Sequence, residues 1–247
     1  MLKKVFLIYL IGWALIVICS FVASRLEFIQ FTLLLLNSSL MLTYFMPQIV
    51  KYLFNGKNYE GKYSETLLKF ARSHGVDIKT FFVIPSKTNN THSCGCCGNK
   101  IVVFNSKTLE LHPFDELEGV MAHEFGHYVN RDQLFYMLIL DIILLSTSYI
   151  NAILFSGAVL TVVFTSLVES ALLLPVVLLI CQWREHLADV FAKRILDDPG
   201  KFVRFFERMI REEEKGNGKK IPSNQNSLQR LLRTHPPIHD RIAFLKQ

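Results

Sequence analysis

From Asp132 to Trp183 the chain carries no lysine or arginine, and most of its residues there are apolar. A stretch of this kind has few ways to fold in water, because about 20 apolar residues in a helix cross the roughly 30 Å of a bilayer's hydrocarbon. Leu134 to Phe155 and Val159 to Trp183 each meet that length, and so do Val5 to Ser24 and Phe28 to Phe54. Pro47 and Pro175 are expected to kink or end regular helix locally. With 247 residues and 51% hydrophobic composition, four spans leave room for one small aqueous domain. The expected layout is an N-terminal transmembrane hairpin (1–54), a first aqueous piece (55–133), a second transmembrane hairpin (134–183) and a second aqueous piece (184–247).

Charge orients this layout. Lys3 and Lys4 precede the first span, ten Lys/Arg lie from Lys51 to Arg131, and fourteen lie from Arg184 to Lys246, whereas the first hairpin holds only Arg25. The positive-inside rule then puts both termini and both aqueous pieces in the cytoplasm. Lys3-Lys4 before an apolar run ending Val22-Ala23-Ser24 also has the form of a cleaved signal, but the run is long and the next span follows after Arg25 to Glu27, which favours a retained anchor. The net charge of +6 is spread along the aqueous pieces without a nucleic-acid motif, so it favours anionic headgroups over nucleic acid.

The aqueous pieces carry the chemistry. His123-Glu124-Phe125-Gly126-His127 has the form H-E-x-x-H. On a helix, residues four apart lie about 40° apart and about 6 Å along the axis, so both imidazoles can converge on one zinc ion. Glu124, about 100° round from His123, stands beside the ion and can take a proton from a water bound to it. Gly119 and Gly126 flank the histidine face and leave room for another element to approach. A surface histidine pair is the competing reading. Downstream, Glu185 and Asp189 are one turn apart in WREHLADVFAK. Glu185 suits a third, anionic ligand, and Asp189 can accept the free ring N–H of a ligating histidine. A solvated helix face is the plainer alternative for that pair.

Three blocks, LEGVMAHEFGHYVNRD (Leu117 to Asp132), REHLADVFA (Arg184 to Ala192) and THPPIHDRI (Thr234 to Ile242), resemble the HtpX-type membrane metalloproteases, relatives of the type I CAAX prenyl proteases. The resemblance implies an α-helical membrane protein with four transmembrane helices and a split, mainly α (α+β), zincin-like catalytic domain. It implies one catalytic zinc per chain on His123, His127 and Glu185, Glu124 as general base and Asp189 behind a ligand. His235 becomes a candidate donor to the oxyanion, and Arg241 a brace for the acidic helix. The function implied is zinc-dependent hydrolysis of unfolded or damaged membrane polypeptides in a bacterial inner membrane, with a CAAX-type processing protease or a signalling membrane metalloprotease as alternatives. A zinc-stabilised scaffold without activity is the rival of another class. Oligomeric state is not legible.

Within the aqueous pieces, Ser64 to His74 reads as a helix, Thr80 to Ile84 and Ile101 to Phe104 as strands, Phe114 to Val129 as the metal-binding helix, and Lys215 to Asn226 as a linker. The family architecture suggests an exposed edge near Ile101 to Phe104 where a substrate strand could pair. Because the metal-binding helix runs almost directly into the third span, the zinc is expected near the cytoplasmic interface. His92, Cys94, Cys96 and Cys97 form H-S-C-G-C-C, which reads as a second soft-metal site, reactive thiols or plain loop residues. Asp141 and Glu169, ionisable inside spans, are expected to face a bundle interior or each other's helices.

Overall fold

The computed structural model describes residues 28–154, 159–217 and 226–247. The first expected span, Cys19, the tip of the second hairpin and most of the expected linker lie outside the described residues. The elements are α1 (Phe28–Leu53), β1 (Lys57–Asn58), α2 (Ser64–Ser73), β2 (Thr80–Ile84), β3 (Thr91–Cys94), β4 (Ile101–Asn105), α3 (Ser106–Leu111), α4 (Phe114–Val129), α5 (Asp132–Leu154), α6 (Val159–Ile195), α7 (Gly200–Asn217), α8 (Ser227–Leu231) and α9 (Ile238–Lys246). The protein is mostly helical. Among the described residues, Ile29–Leu53, Asp132–Ile150 and Leu167–Ile195 are long and apolar enough to cross a membrane. Pro47 and Pro175 sit inside α1 and α6, and neither ends its helix.

The chain divides into two compact units. One comprises Leu134–Val177 and the described part of Met1–Leu42. Its surface presents Leu33, Leu140, Ile142, Phe164 and Leu172, apolar side chains suited to lipid. Asp141 is buried there and accepts a 2.6 Å hydrogen bond from Ser39 of α1. Its partner is thus on the first described helix rather than across the second hairpin, which satisfies one oxygen of a group that is expensive to bury alone.

The other unit, Thr43–Gln133 with Leu178–Gln247, is built on a four-stranded sheet of order β1-β2-β4-β3. β2 and β4 pair in parallel, while β1 and β3 add antiparallel on either side. Alternation along β4 sends Val102 and Phe104 to one face, against Leu67 and Ala71 of α2 and Leu117, Met121 and Phe125 of α4. Ile101 and Val103 face the other side, against Phe82, Cys94 and the Met46–Val50 stretch of α1. Every residue of β4 is buried. This corrects the expectation of an exposed edge near Ile101 to Phe104, because β4 is an inner strand and the outer strands are β1 and β3. The β3 segment is short, Thr91-His92-Ser93-Cys94, without the apolar alternation that marks a strand.

Candidate metal centre

α4 is the element on which the site is assembled. Pro113 precedes it at φ −68°, and Asp115 and Glu116 occupy its positive first turn. Burial lowers the pKa of His112, whose ring lies 2.7 Å from Glu116. Arg208 of α7 grips the same carboxylate with two hydrogen bonds of 2.7 and 2.8 Å. The helix is apolar on two sides: Leu117, Met121, Phe125 and Tyr128 enter the sheet core, while Val120 and Ala122 meet α7 and the end of α6. Two glycines allow backbone-close packing. A Cβ on Gly119 would stand 2.7 Å from the Phe202 backbone, and one on Gly126 would stand 2.7 Å from Ala188 Cα.

The Gly126–Ala188 contact brings α4 against the helical turn of α6 that bears Glu185 and Asp189. His123, His127 and Glu185 converge there with their ligand atoms within 4.8 Å of one another. The Nε2 atoms of the two histidines are 3.1 Å apart. Glu185 oxygens lie 3.4 Å from His123 Nε2 and 3.5 Å from His127 Nε2. Ligand atoms about 2.05 Å from one tetrahedral zinc are about 3.3 Å apart, and the two Nε2 atoms, with Glu185 Oε2 facing His123 and Oε1 facing His127, lie near that spacing. Glu185 Oε2 is also buried without a hydrogen-bond partner, as an oxygen meant for a cation is. Glu124 is buried beside this triangle, and among the described residues no hydrogen bond ties its carboxylate.

Both histidines are held from behind. His123 Nδ1 is 2.9 Å from Asp189 Oδ1, and His127 Nδ1 is 2.5 Å from Asp132 Oδ2. Each carboxylate is braced in turn: Arg241 forks onto Asp189 at 2.7 and 2.8 Å, and Arg184 binds Asp132. Asp132 and Arg184 went unassigned in the sequence. α4 stops at Val129, Arg131 takes φ +56°, and the chain re-enters helix at Asp132, so the reversal returns a carboxylate to the histidine five residues earlier. The available signal was the polar Asn-Arg-Asp run between two apolar helices.

Electrostatics separate the two rings. Burial and Arg241 press the His123 pKa down, but Asp189 and Glu185 outweigh them and raise it to about 9. His127 is lowered, chiefly by burial and by His123 itself. The network therefore assigns His123 as the imidazolium, donating to Asp189 and to His127, whose remaining N–H goes to Asp132. His235 reaches the rim: its Nε2 is 3.4 Å from Glu185 Oε1 and its side chain is 57% exposed. Gln182, one turn before Glu185 on α6, donates to the carbonyls of Arg230 and Arg233 at 2.9 and 2.8 Å, which anchors the segment leading to His235. The three cysteines of the H-S-C-G-C-C segment do not converge as a metal-binding group of three among the described residues.

Residues 58–247 match the model of Peptidase family M48. The chain is 28% identical over 215 residues to a Halobacterium salinarum protein named protease HtpX homolog, covering 71% of this chain and 73% of that protein. It is 26% identical over 209 residues to protease HtpX of Ectopseudomonas mendocina, covering 74% and 71%. In fold it is similar to the crystal structure of S. mikatae Ste24p, with a TM-score of 0.70 and 18% identity over 100% of this chain. The chain spans 65% of that solved structure's length.

Proposed function

This chain belongs to Peptidase family M48, as an HtpX-type membrane metalloprotease, and from that membership we propose that it is a zinc endopeptidase acting on misfolded or damaged membrane proteins. The observation that carries the zinc assignment is the convergence of His123, His127 and Glu185, one ligand atom from each within 4.8 Å of the others, a donor set that suits zinc. Zinc held by these three side chains, one ion per chain, supplies Lewis acidity that polarises the scissile carbonyl and acidifies water.

The chain's own residues do the rest. Glu124, unengaged and buried beside the triangle, takes a proton from the attacking water and hands it to the leaving amine. Asp189 and Asp132 fix the ring orientations of His123 and His127 by accepting from their Nδ1 atoms. His235, at the exposed rim beside Glu185, donates to the oxyanion that forms as the carbonyl is attacked.

The rest of the proposal follows from charge and from the family. Four spans, with the first formed by Val5 to Ser24, divide the chain into the hairpins 1–54 and 134–183 and the catalytic pieces 55–133 and 184–247. Both termini and both catalytic pieces face the cytoplasm of a bacterial inner membrane, where emerging or unfolded polypeptides reach the site. The test is substrate trapping. Membranes carrying the Glu124→Gln chain should accumulate unfolded integral-membrane polypeptides bound to it. Recovery of prenylated proteins alone would replace the quality-control reading with the processing one.

A further inference from the structure

The segment from Cys94 to Asn99 lies outside the metal centre and is built unusually tightly. Gly95, Cys97 and Gly98 all have positive φ, at 91°, 51° and 83°. A Cβ on Gly95 would come within 2.1 Å of Asn99 O and 2.7 Å of Pro47. Asn99 closes the loop through its N–H to Cys96 O at 2.9 Å, and its side chain donates to Tyr44 O at 2.7 Å and Gln48 at 3.2 Å. At the other end, Cys94 N–H donates to the Tyr128 hydroxyl at 2.7 Å. The loop is therefore held at both ends before any ligand arrives.

Within it the thiols differ. Cys94 packs with Phe82, Ile101 and Val103 in the sheet core, and burial pushes its thiol up to about 12. Cys96 is buried, and Cys97, the next residue in the chain, is exposed. A Cβ on Gly98 would meet nothing within 4 Å, its two chain neighbours apart, so the turn that carries Cys97 is open at Gly98. His92 is engaged by Asn90 at 3.0 Å. Two neighbouring sulfurs with the third turned into the core do not make the four-ligand set of structural zinc. A direct disulfide is also a poor fit, since adjacent Cα atoms are about 3.8 Å apart and disulfides usually need about 4.4–6.8 Å.

We propose that Cys96 and Cys97 form a dithiol binding site for trivalent arsenicals, which a single bridging arsenic atom closes without requiring a sulfur–sulfur bond. An organoarsenous acid condenses with the two thiols: two As–O bonds and two S–H bonds break, two As–S bonds form, and each departing hydroxyl leaves with a thiol proton as water. Arsenic stays trivalent and needs no oxidant. The exposed Cys97 sulfur is met first, and Cys96 closes the ring. Tyr128, the residue following His127, hydrogen-bonds both backbone groups of Cys94 and so puts this loop in contact with the metal-binding helix.

The experiment uses the full chain in detergent, with phenylarsine oxide as probe and intact mass as readout. One arsenical per chain should remain after a 2-mercaptoethanol wash and leave with 2,3-dimercapto-1-propanol. Cys96→Ser and Cys97→Ser should each raise the half-saturating concentration at least about 100-fold, the usual gain of two-point over one-point attachment, whereas Cys94→Ser should leave it unchanged. On the unmutated chain, tryptic mapping should place the added mass on Thr88 to Lys100, a result that does not depend on any variant folding. Absence of a wash-resistant adduct, its mapping elsewhere, or its survival in Cys96→Ser would each overturn the proposal.

Discussion

Replacing Gly126 with alanine tests whether the approach of α4 to α6 is what sets the metal site. The added Cβ would stand 2.7 Å from Ala188 Cα, 2.9 Å from Ala188 O and 3.1 Å from Ala188 Cβ. Ordinary contact begins at 3.4 Å, so the helices must part by 3.4 − 2.7, about 0.7 Å, at a point one residue from His127 and three from Glu185. Ligand distances tolerate roughly ±0.2 Å, and overpacking of this kind costs about 1–3 kcal/mol. The ion spans the two helices that are pushed apart, so that strain falls on metal binding, and 1–3 kcal/mol corresponds to roughly 5- to 150-fold weaker zinc affinity. The assay is competitive zinc titration against a chromogenic chelator, alongside cleavage of an unfolded protein such as casein and thermal unfolding of the metal-free chain. Zinc affinity within about twofold of the parent, in a chain that carries the alanine and remains folded, would refute the reasoning.

Three further outcomes are expected. Glu124→Gln should retain zinc and lose most hydrolysis, while Glu185→Ala should lose zinc affinity as well as turnover; metal content and casein cleavage measured on one preparation separate the two, and full activity in Glu124→Gln would remove the assigned base. Asp132→Asn should weaken zinc by about 10–100-fold by releasing the His127 ring, and unchanged affinity would reduce Asp132 to a partner of Arg184. In the metal-free chain the His123 pKa is raised from 6.5 to about 9, so its proton stabilises that form fully below 6.5 and is lost as pH rises through about 9. Zinc must displace the proton, hence zinc affinity should climb about tenfold per pH unit between pH 7 and 9, beyond what His127 contributes, and a flat profile there would show that His123 is already neutral.

What the sequence made legible was whatever repeats at a helical period. Ser64 to Ser73 was readable because apolar residues recur along one face, Phe114 to Val129 because of its H-E-x-x-H spacing and acidic first turn, and the strands at Thr80 and Ile101 because β-branched and aromatic residues cluster. The pairing of His123 with His127 was readable because spacing on one helix constrains direction, whereas Glu185, on another helix, was reached through its anionic chemistry and the family resemblance. β3 was not, since its residues are polar and its strand character comes from pairing with β4 rather than from composition. The central position of β4 depends on the same pairing, which is long-range. Asp132 was quoted in the sequence but its role was invisible, because it depends on a single left-handed residue, Arg131, turning the chain back.

The arginines behind the two histidine partners have a consequence for how the site comes into being. Around the imidazoles stand four carboxylates, Glu124, Asp132, Glu185 and Asp189, against two guanidiniums, Arg184 and Arg241, all of them buried. That leaves two negative charges in a place where uncompensated charge is costly. One proton on His123 neutralises half of it; a divalent cation neutralises all of it. The centre thus discriminates by valence before it discriminates by coordination number, and an ion that loads it replaces the proton by which His123 of α4 pairs with Glu185 and Asp189 of α6. On the proposed reading, filling the centre exchanges a protonic tie between those two helices for a doubly charged one.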